Sequence, residues 1–232
     1  LASLPIGAST WLQNYQSHYL ATLPARINAE QPLFADSLQQ FDDEWPVGKP
    51  SATACGFFFM EKTAYEIYGT ATGDICNAYT DQVYGDAAVE VTASESGKLA
   101  SGLTDGVGLT LRTNADGTDF LAFFVLSSGE WDLWHYQYVD ANPLDNWNTI
   151  TSGHSSAINT GFGASNRLLV VMRGQVFLLY VNNHLMSAYN TRYDDLPATG
   201  RMGVYLNESS ITGVFANFAI YPVRATSSFW YV

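Results

Sequence analysis

Residues 166–183 read NRLLVVMRGQVFLLYVNN. Two apolar runs, Leu168–Met172 and Val176–Val181, are separated by Arg173–Gln175, and a further apolar segment follows Asn182–Asn183. Their Val, Leu, Phe and Tyr content is typical of β-strands, so the stretch predicts three strands joined by two turns. Odd and even positions of each run are both apolar, and in a strand they face opposite sides. We therefore expect each strand to be covered on both sides, as at the centre of a layered sheet protein.

Length and composition point to one large β domain. The chain has 232 residues, and about 200–250 residues is a common length for a single sandwich or barrel. Apolar residues make up 47% of the chain, which excludes a disordered polypeptide. Aromatic residues are abundant and charged residues are scarce, each at 14%. The surface must therefore take its polarity from Ser, Thr, Asn, Gln and Gly, as in many secreted β proteins.

The charge balance excludes one class of partner. The chain carries 22 acidic and 10 basic residues, which gives a net charge of −12. Such a surface repels phosphate backbones and anionic lipid headgroups, so we expect no nucleic-acid partner. No apolar run reaches the roughly 18 residues that a membrane-spanning helix requires, so we expect no membrane-spanning segment.

The two cysteines are Cys55 and Cys76. A small, even count in a Lys-poor chain rich in Ser, Thr and Asn predicts one disulfide bond and an oxidising compartment. The alternative is two unrelated buried thiols. Because the chain begins with Leu1 rather than Met, we expect a signal peptide or membrane anchor to have been removed upstream.

Residues 1–32 differ from the rest and predict a helix. Ser9 and Thr10 are candidate N-caps, and Pro24 should end the helix. Apolar residues recur at helical spacing at Trp11, Leu12, Tyr15, Tyr19 and Leu20. The segment is either a stalk that joins an anchor to the β domain or a helix packed on its flank. The second alternative is favoured because an apolar stripe needs cover.

Residues 33–223 contain about 12 strand candidates with turn signals between them, which favours an antiparallel sandwich or jelly roll. One clear hairpin joins Val107–Thr113 to Asp119–Leu126 through Asp116–Gly117. The predicted organisation is therefore a helical segment or stalk over residues 1–32, a β-sandwich over residues 33–223 and a C-terminal tail over residues 224–232.

Three sequence patterns follow one another along the chain. The pattern F-x-D…W occurs at Phe34, Asp36 and Trp45. Two later blocks follow the patterns N-x-L-x-V-x-x-x-G…V-N and G-x-x-G-V…V-F-x-N-F-x-I-Y, at Asn166, Leu168, Val170, Gly174, Val181 and Asn182 and at Gly200, Gly203, Val204, Val214, Phe215, Asn217, Phe218, Ile220 and Tyr221. This order resembles the concanavalin A-like (laminin G-like) jelly-roll superfamily. In particular, it is similar to extracellular domains of bacterial surface proteins, some of them attached to receptor-like protein kinases.

The resemblance implies an all-β, antiparallel two-sheet jelly-roll sandwich with a short N-terminal helical segment, located extracellularly or at the cell surface. It does not name an activity, because the same fold carries lectins, glycosidases and adhesion modules. Family-16 glycoside hydrolases use the strand motif E-x-D-x-x-E. Here Glu130 and Asp132 match it, but His135 stands where the acid/base Glu is required. The protein is therefore expected not to be an enzyme, and a glycosidase with an atypical site is the second alternative.

Aromatic residues favour a binding module. Sugars stack their flat apolar faces on exposed aromatic rings, while carboxylates and amides bind their hydroxyls. The candidate ligand-binding residues are Trp131, Trp134, Tyr136, Tyr138, Trp147, Glu130 and Asp132. The expected partner is a glycan or another small ligand, sensed without catalysis. The first alternative is a structural or protein-contact domain that binds no small ligand.

No cofactor is predicted. The acidic triplet at residues 42–44 is more typical of a solvated loop than of a metal site, although calcium at a loop rim is compatible with the charge of the chain.

Overall fold

A computed structural model of the chain describes residues 6–41, 43–49, 55–60, 63–69, 75–97, 106–139, 146–190, 196–207 and 211–223, with only the backbone described for residues 6–15. These ranges contain one helix and fourteen strands, which are α1 (Ile6–Ile27), β1 (Phe34–Asp36), β2 (Cys55–Met60), β3 (Ala64–Gly69), β4 (Ile75–Tyr84), β5 (Ala87–Gly97), β6 (Val107–Thr113), β7 (Asp119–Val125), β8 (Glu130–Gln137), β9 (Trp147–His154), β10 (Asn166–Arg173), β11 (Val176–Val181), β12 (His184–Asn190), β13 (Gly200–Asn207) and β14 (Ile211–Pro222). The tail predicted at residues 224–232 lies outside the described ranges.

The strands form two antiparallel sheets packed face to face, which confirms the predicted two-sheet sandwich. One sheet has eight strands in the order β12-β11-β10-β5-β14-β3-β2, with β1 paired to β14. The other has six strands in the order β4-β13-β6-β7-β8-β9. The inner faces of both sheets meet in one large hydrophobic core. Each sheet therefore has an outer face, directed away from the other sheet.

The β10–β11 hairpin is covered on both sides, as its two-sided apolar pattern predicts. One parity, including Leu168, Val170 and Phe177, packs in the core between the sheets. The other parity forms a second cluster with helix α1, whose buried residues are Leu23, Ile27, Ala88, Leu169, Val171, Val176, Leu178 and Tyr180. The helix thus packs on the outer face of the eight-stranded sheet and removes its apolar side chains from water.

The prediction that Pro24 ends the helix is wrong, since α1 continues to Ile27. A proline inside a helix has no N–H, so the carbonyl four residues earlier loses its usual donor. Here that carbonyl belongs to Leu20, and the Tyr180 hydroxyl on β11 donates to it at 3.0 Å. A side chain of the sheet thus replaces the missing helical hydrogen bond, and the helix continues into its docking contact.

A turn and a hydrogen-bond network, both formed by asparagine residues, stabilise the end of the β10–β11 hairpin. Asn182 and Asn183 both have positive φ, 50° and 68°, and form the two-residue turn between β11 and β12. The Asn182 side chain accepts from the Arg167 N–H at 2.9 Å and donates to the Ala157 carbonyl and to Asn166 Oδ1, each at 2.8 Å. This network fixes residues 157–166, the connection that leads from β9 into β10.

The F-x-D…W pattern also has a structural role. The Asp36 carboxylate accepts from the Trp45 indole N–H and from the Leu38 backbone N–H, each at 2.8 Å. Leu38 has φ of 58° and is fully buried, so the carboxylate holds a backbone conformation that leucine rarely adopts. The pattern therefore secures the entry of the chain into the sandwich.

Cys55 and Cys76 form the predicted disulfide bond, with 21 residues of separation. It joins β2, at the edge of the eight-stranded sheet, to β4, at the edge of the six-stranded sheet. Among the described residues, no helix is both long and apolar enough to cross a membrane.

Candidate functional site

Strand β8 presents different side chains to the two faces of the six-stranded sheet. Trp131 and Leu133 are buried in the core between the sheets. The alternate positions Glu130, Asp132, Trp134 and Tyr136 are less buried and point to the outer face, as strand alternation requires. The outer face of the six-stranded sheet is therefore where four of the candidate ligand-binding residues lie together.

The strand registers arrange the outer face in rows that cross all six strands. One row contains Asn77, Tyr205, Gly108, Phe124, Asp132 and Ser152. The next row contains Tyr79, Gly203, Thr110, Ala122, Trp134 and Thr149. The first row is polar at both ends. The second has small residues in the middle with an aromatic residue on each side.

A packed group of rings covers the β7–β9 half of this face. We call it the aromatic face, and its members are Phe120, Phe124, Trp134, Tyr136 and Trp147. Ring centroids are 5.2 Å apart for Trp134 and Trp147, 4.7 Å for Tyr136 and Trp147, and 4.9 Å for Phe120 and Tyr136. Phe120 and Phe124 are buried, whereas Trp134, Tyr136 and Trp147 are partly exposed. The three outer rings are thus held rigidly by the two beneath them.

Two of the candidate aromatic residues lie elsewhere. Trp131 is only 6% exposed and packs in the core, with its ring 6.5 Å from that of Phe123. Tyr138 follows the end of β8 and is 55% exposed, so it lies at the margin of the outer face. The aromatic face thus takes Trp134, Tyr136 and Trp147 from the candidate residues and adds Phe120 and Phe124 as their support.

Two carboxylates border the aromatic face on β8. Glu130 is exposed and accepts a hydrogen bond from the Ser128 hydroxyl at 2.8 Å. Asp132 is partly buried, and this burial raises the pKa of its carboxyl above the ordinary range. The nearby Trp134 N–H lowers that pKa in part, without the geometry of a full hydrogen bond, and the Glu130 charge raises it again.

Three buried polar atoms in the two rows make no hydrogen bond within the described part of the chain. They are Tyr205 Oη, Asn77 Oδ1 and Trp134 Nε1. Tyr205 is fully buried, and both this burial and the charge of Asp132 raise the pKa of its hydroxyl. Buried polar groups are nearly always hydrogen-bonded, so three unpartnered atoms on one face mark it as unusual. Tyr205 and Asn77 are not among the sequence candidates, because no local pattern indicates which residues lie across from Asp132.

His135 does not supply the missing catalytic acid. It has the inward parity of Leu133, is buried, and its Nε2 lies 2.8 Å from Asp119 Oδ1. On the outer face, the position after Glu130 and Asp132 belongs to Trp134. The outward side of β8 thus carries two carboxylates followed by two aromatic rings.

A cavity of about 380 Å³ lies at the β4 edge of the six-stranded sheet. Its walls are Asp43, Glu44, Trp45, Pro46, Phe57, Asn77, Ala78, Tyr79 and Asp81. Within the described ranges, no three or more His, Cys, Asp or Glu side chains are grouped to hold a metal ion. Asp42, the first residue of the acidic triplet, is outside those ranges. The prediction of no cofactor, with calcium at a loop rim compatible with the charge of the chain, stays a prediction.

The architecture is that of a concanavalin A-like sandwich. A carbohydrate-binding module from Bacillus subtilis superposes with a TM-score of 0.53 at 15% identity, over 75% of this chain and 99% of that one. The carbohydrate recognition domain of Emp46p gives 0.53 at 14% identity, over 80% and 94%. A β-glucanase from Bacillus licheniformis gives 0.51 at 12% identity, over 82% and 98%. No protein-family model matches the chain, and no curated protein matches it in sequence.

Proposed function

We propose that this protein is a non-catalytic carbohydrate-binding module that works outside the cytoplasm. The observation that carries the proposal is the aromatic face. Trp134, Tyr136 and Trp147 expose ring surface beside the oxygens of Asp132 and Glu130. Flat apolar sugar faces stack on such rings, and sugar hydroxyls bond to the neighbouring polar groups.

The exposed strand β9 adds hydroxyl groups to this arrangement. Thr149 lies opposite Trp134, and Ser152 lies opposite Asp132. Both are exposed, so a sugar stacked on Trp147 would meet hydrogen-bonding groups along its edge. A carbohydrate-binding module and a carbohydrate recognition domain share this fold, which supports the same class of ligand here.

Two further observations support the non-catalytic role and the location outside the cytoplasm. Trp134 and Tyr136 follow Asp132 on the outer side of β8, where a glycosidase would need a further carboxyl group as acid/base. The Cys55–Cys76 disulfide fits an extracellular location, because such bonds persist in oxidising compartments.

One observation favours a second candidate, a protein-contact module without small ligand. The centre of the outer face is filled by the chain itself, since Phe120, Phe124 and Tyr205 are at most 2% exposed. A filled face leaves no deep cleft in its middle. Under this alternative, the rings at the β8–β9 margin would form part of a contact surface.

A glycan array followed by calorimetric titration tests the proposal. We expect the wild-type chain to bind a set of related sugars. The Trp147→Ala variant should bind the best of them at least about tenfold more weakly, as loss of a central aromatic contact does. The control is Phe41→Ala, which removes a ring that is 63% exposed and lies outside the aromatic face. Its affinity should equal that of the wild type.

Circular dichroism and thermal unfolding of each variant separate lost binding from a lost fold. If Trp147→Ala is folded and still binds as the wild type does, the aromatic face is not the sugar site. If the wild type binds nothing on the array, the protein-contact alternative takes precedence.

A further inference from the structure

The charges of the outer face are arranged unevenly. Carboxylates occur towards both sides of the sheet, with Asp81 on the edge strand β4 and with Glu130 and Asp132 on β8, next to the other edge. His154 lies opposite Glu130 on β9, and Arg201, on the outward side of β13, is the arginine of this face within the described residues. The Arg201 guanidinium stacks 4.0 Å above the ring of Tyr79 and donates to the Asn114 carbonyl at 2.6 Å.

Arg201 is therefore already engaged at the far side of the sheet from Asp132. β13 and β8 are separated by β6 and β7, so the two strands lie about 14 Å apart at the usual strand spacing. At that distance and near water, a positive charge screens a carboxylate only weakly. No arginine of the described ranges forms an ion pair with Asp132.

Asp132 is a hydrogen-bond acceptor at the border of the aromatic face. It is followed on the outward side of β8 by Trp134, and it lies opposite the exposed Ser152 of β9. An ionised carboxylate accepts hydrogen bonds but donates none. A neutral sugar hydroxyl can donate to it, whereas a second anion cannot.

We propose that Asp132 is the specificity-determining residue of this site and restricts it to sugars that carry no negative charge. The inference rests on the proposed function. A sulfated or uronic sugar stacked on Trp134 and Trp147 would place its anionic group against a carboxylate that forms no ion pair with any described residue. Like charges juxtaposed at an interface weaken binding strongly, so the discrimination is a property of one side chain rather than of overall shape.

The test compares one neutral oligosaccharide, taken from the glycan array, with the same oligosaccharide bearing a single sulfate group. A sulfate stays ionised across the working pH range, so only the protein charge changes between variants. At neutral pH and about 0.15 M salt, the wild type should bind the sulfated sugar at least about tenfold more weakly than the neutral one. In Asp132→Asn the difference in affinity between the neutral and the sulfated sugar should fall to less than about threefold.

The matched control is Asp81→Asn, which removes the same charge from an exposed position on β4, at the opposite edge of the sheet. Because an exposed charge is screened by water and salt, this variant should keep most of the difference in affinity between the two sugars. An unchanged difference in Asp132→Asn, or a wild type that prefers the sulfated sugar, overturns the inference while leaving sugar binding intact. A folded wild type that binds neither sugar overturns the proposed function as well.

Discussion

Two buried tyrosines allow a sharp test of how the helix is attached to the sandwich. Tyr180 and Tyr205 are both fully buried. The Tyr180 hydroxyl donates to the Leu20 carbonyl, whereas the Tyr205 hydroxyl has no partner among the residues that the structure describes. Changing each to phenylalanine removes one oxygen from a similar environment. The two substitutions should therefore have different effects on the free energy of unfolding.

The expected magnitudes follow from these partners. Tyr180→Phe removes a hydrogen bond and leaves the Leu20 carbonyl without the donor that Pro24 cannot provide, which should lower the free energy of unfolding by about 1.5 kcal/mol. For a domain of this size, that corresponds to a decrease of roughly 3–6 °C in Tm. Tyr205→Phe removes an unpaired buried hydroxyl, so it should leave stability unchanged or raise it by up to about 1 kcal/mol.

Urea-induced unfolding, followed by tryptophan fluorescence, measures both effects. A double-mutant cycle with Pro24→Ala isolates the mechanism. An alanine at this position would restore a backbone N–H that can donate to Leu20, so Tyr180→Phe should be about 1 kcal/mol less destabilising in that background. Equal losses for the two tyrosines, or no coupling between Tyr180 and Pro24, would refute the explanation of why the helix passes through Pro24.

Three further predictions concern other parts of the fold. Burial raises the pKa of Asp132, so ionisation of this carboxyl opposes folding. Asp132→Asn should therefore raise the free energy of unfolding measured in urea at pH 7. This gain should vanish below about pH 3, because the carboxyl is then protonated in both the folded and the unfolded state. Asn182→Gly keeps the positive φ but loses three hydrogen bonds, so it should lower stability by about 2 kcal/mol, whereas Asn183→Gly should change it by under about 0.5 kcal/mol. Replacing Cys55 and Cys76 by serine opens a loop of 21 residues and should lower stability by about 3 kcal/mol, and intact-mass measurement should show two hydrogens fewer in the oxidised wild type than in the reduced chain.

The sequence predicts the sandwich well because the signals for it are local. Alternation along β8 places Trp131 and Trp134 on opposite faces of the strand, and two-sided apolar runs identify the covered hairpin. Alternation alone does not say which parity faces the core, however, so both tryptophans are candidates at that level. The packing of the sheets decides between them, because only Trp131 lies between the two sheets.

The rest of the site depends on strand pairing across long stretches of chain. Asn77 and Tyr205 reach the row of Asp132 only because β4, β13, β6, β7 and β8 are neighbours in one sheet. A register shift of one residue would turn either side chain to the opposite face. The prediction for Pro24 is wrong for a related reason, since the helix continues with the help of Tyr180, which lies 160 residues from Leu20 in sequence.

The two outer faces of the sandwich differ in how completely their apolar side chains are covered and their polar atoms are hydrogen-bonded. On the eight-stranded sheet, the helix covers the apolar side chains, and even the carbonyl freed by Pro24 has a partner. The six-stranded sheet instead has buried polar atoms without a hydrogen-bond partner among the described residues, including Tyr205 Oη, Asn77 Oδ1 and Trp134 Nε1. A buried polar atom without a partner opposes folding, and for Tyr205 an apolar residue of the same shape should remove a penalty of up to about 1 kcal/mol. Any stability gained by Tyr205→Phe would therefore measure the cost of burying one unpaired hydroxyl. Because these atoms have almost no exposed surface, the partly exposed rings of Trp134, Tyr136 and Trp147 are what distinguish this face as a candidate binding surface.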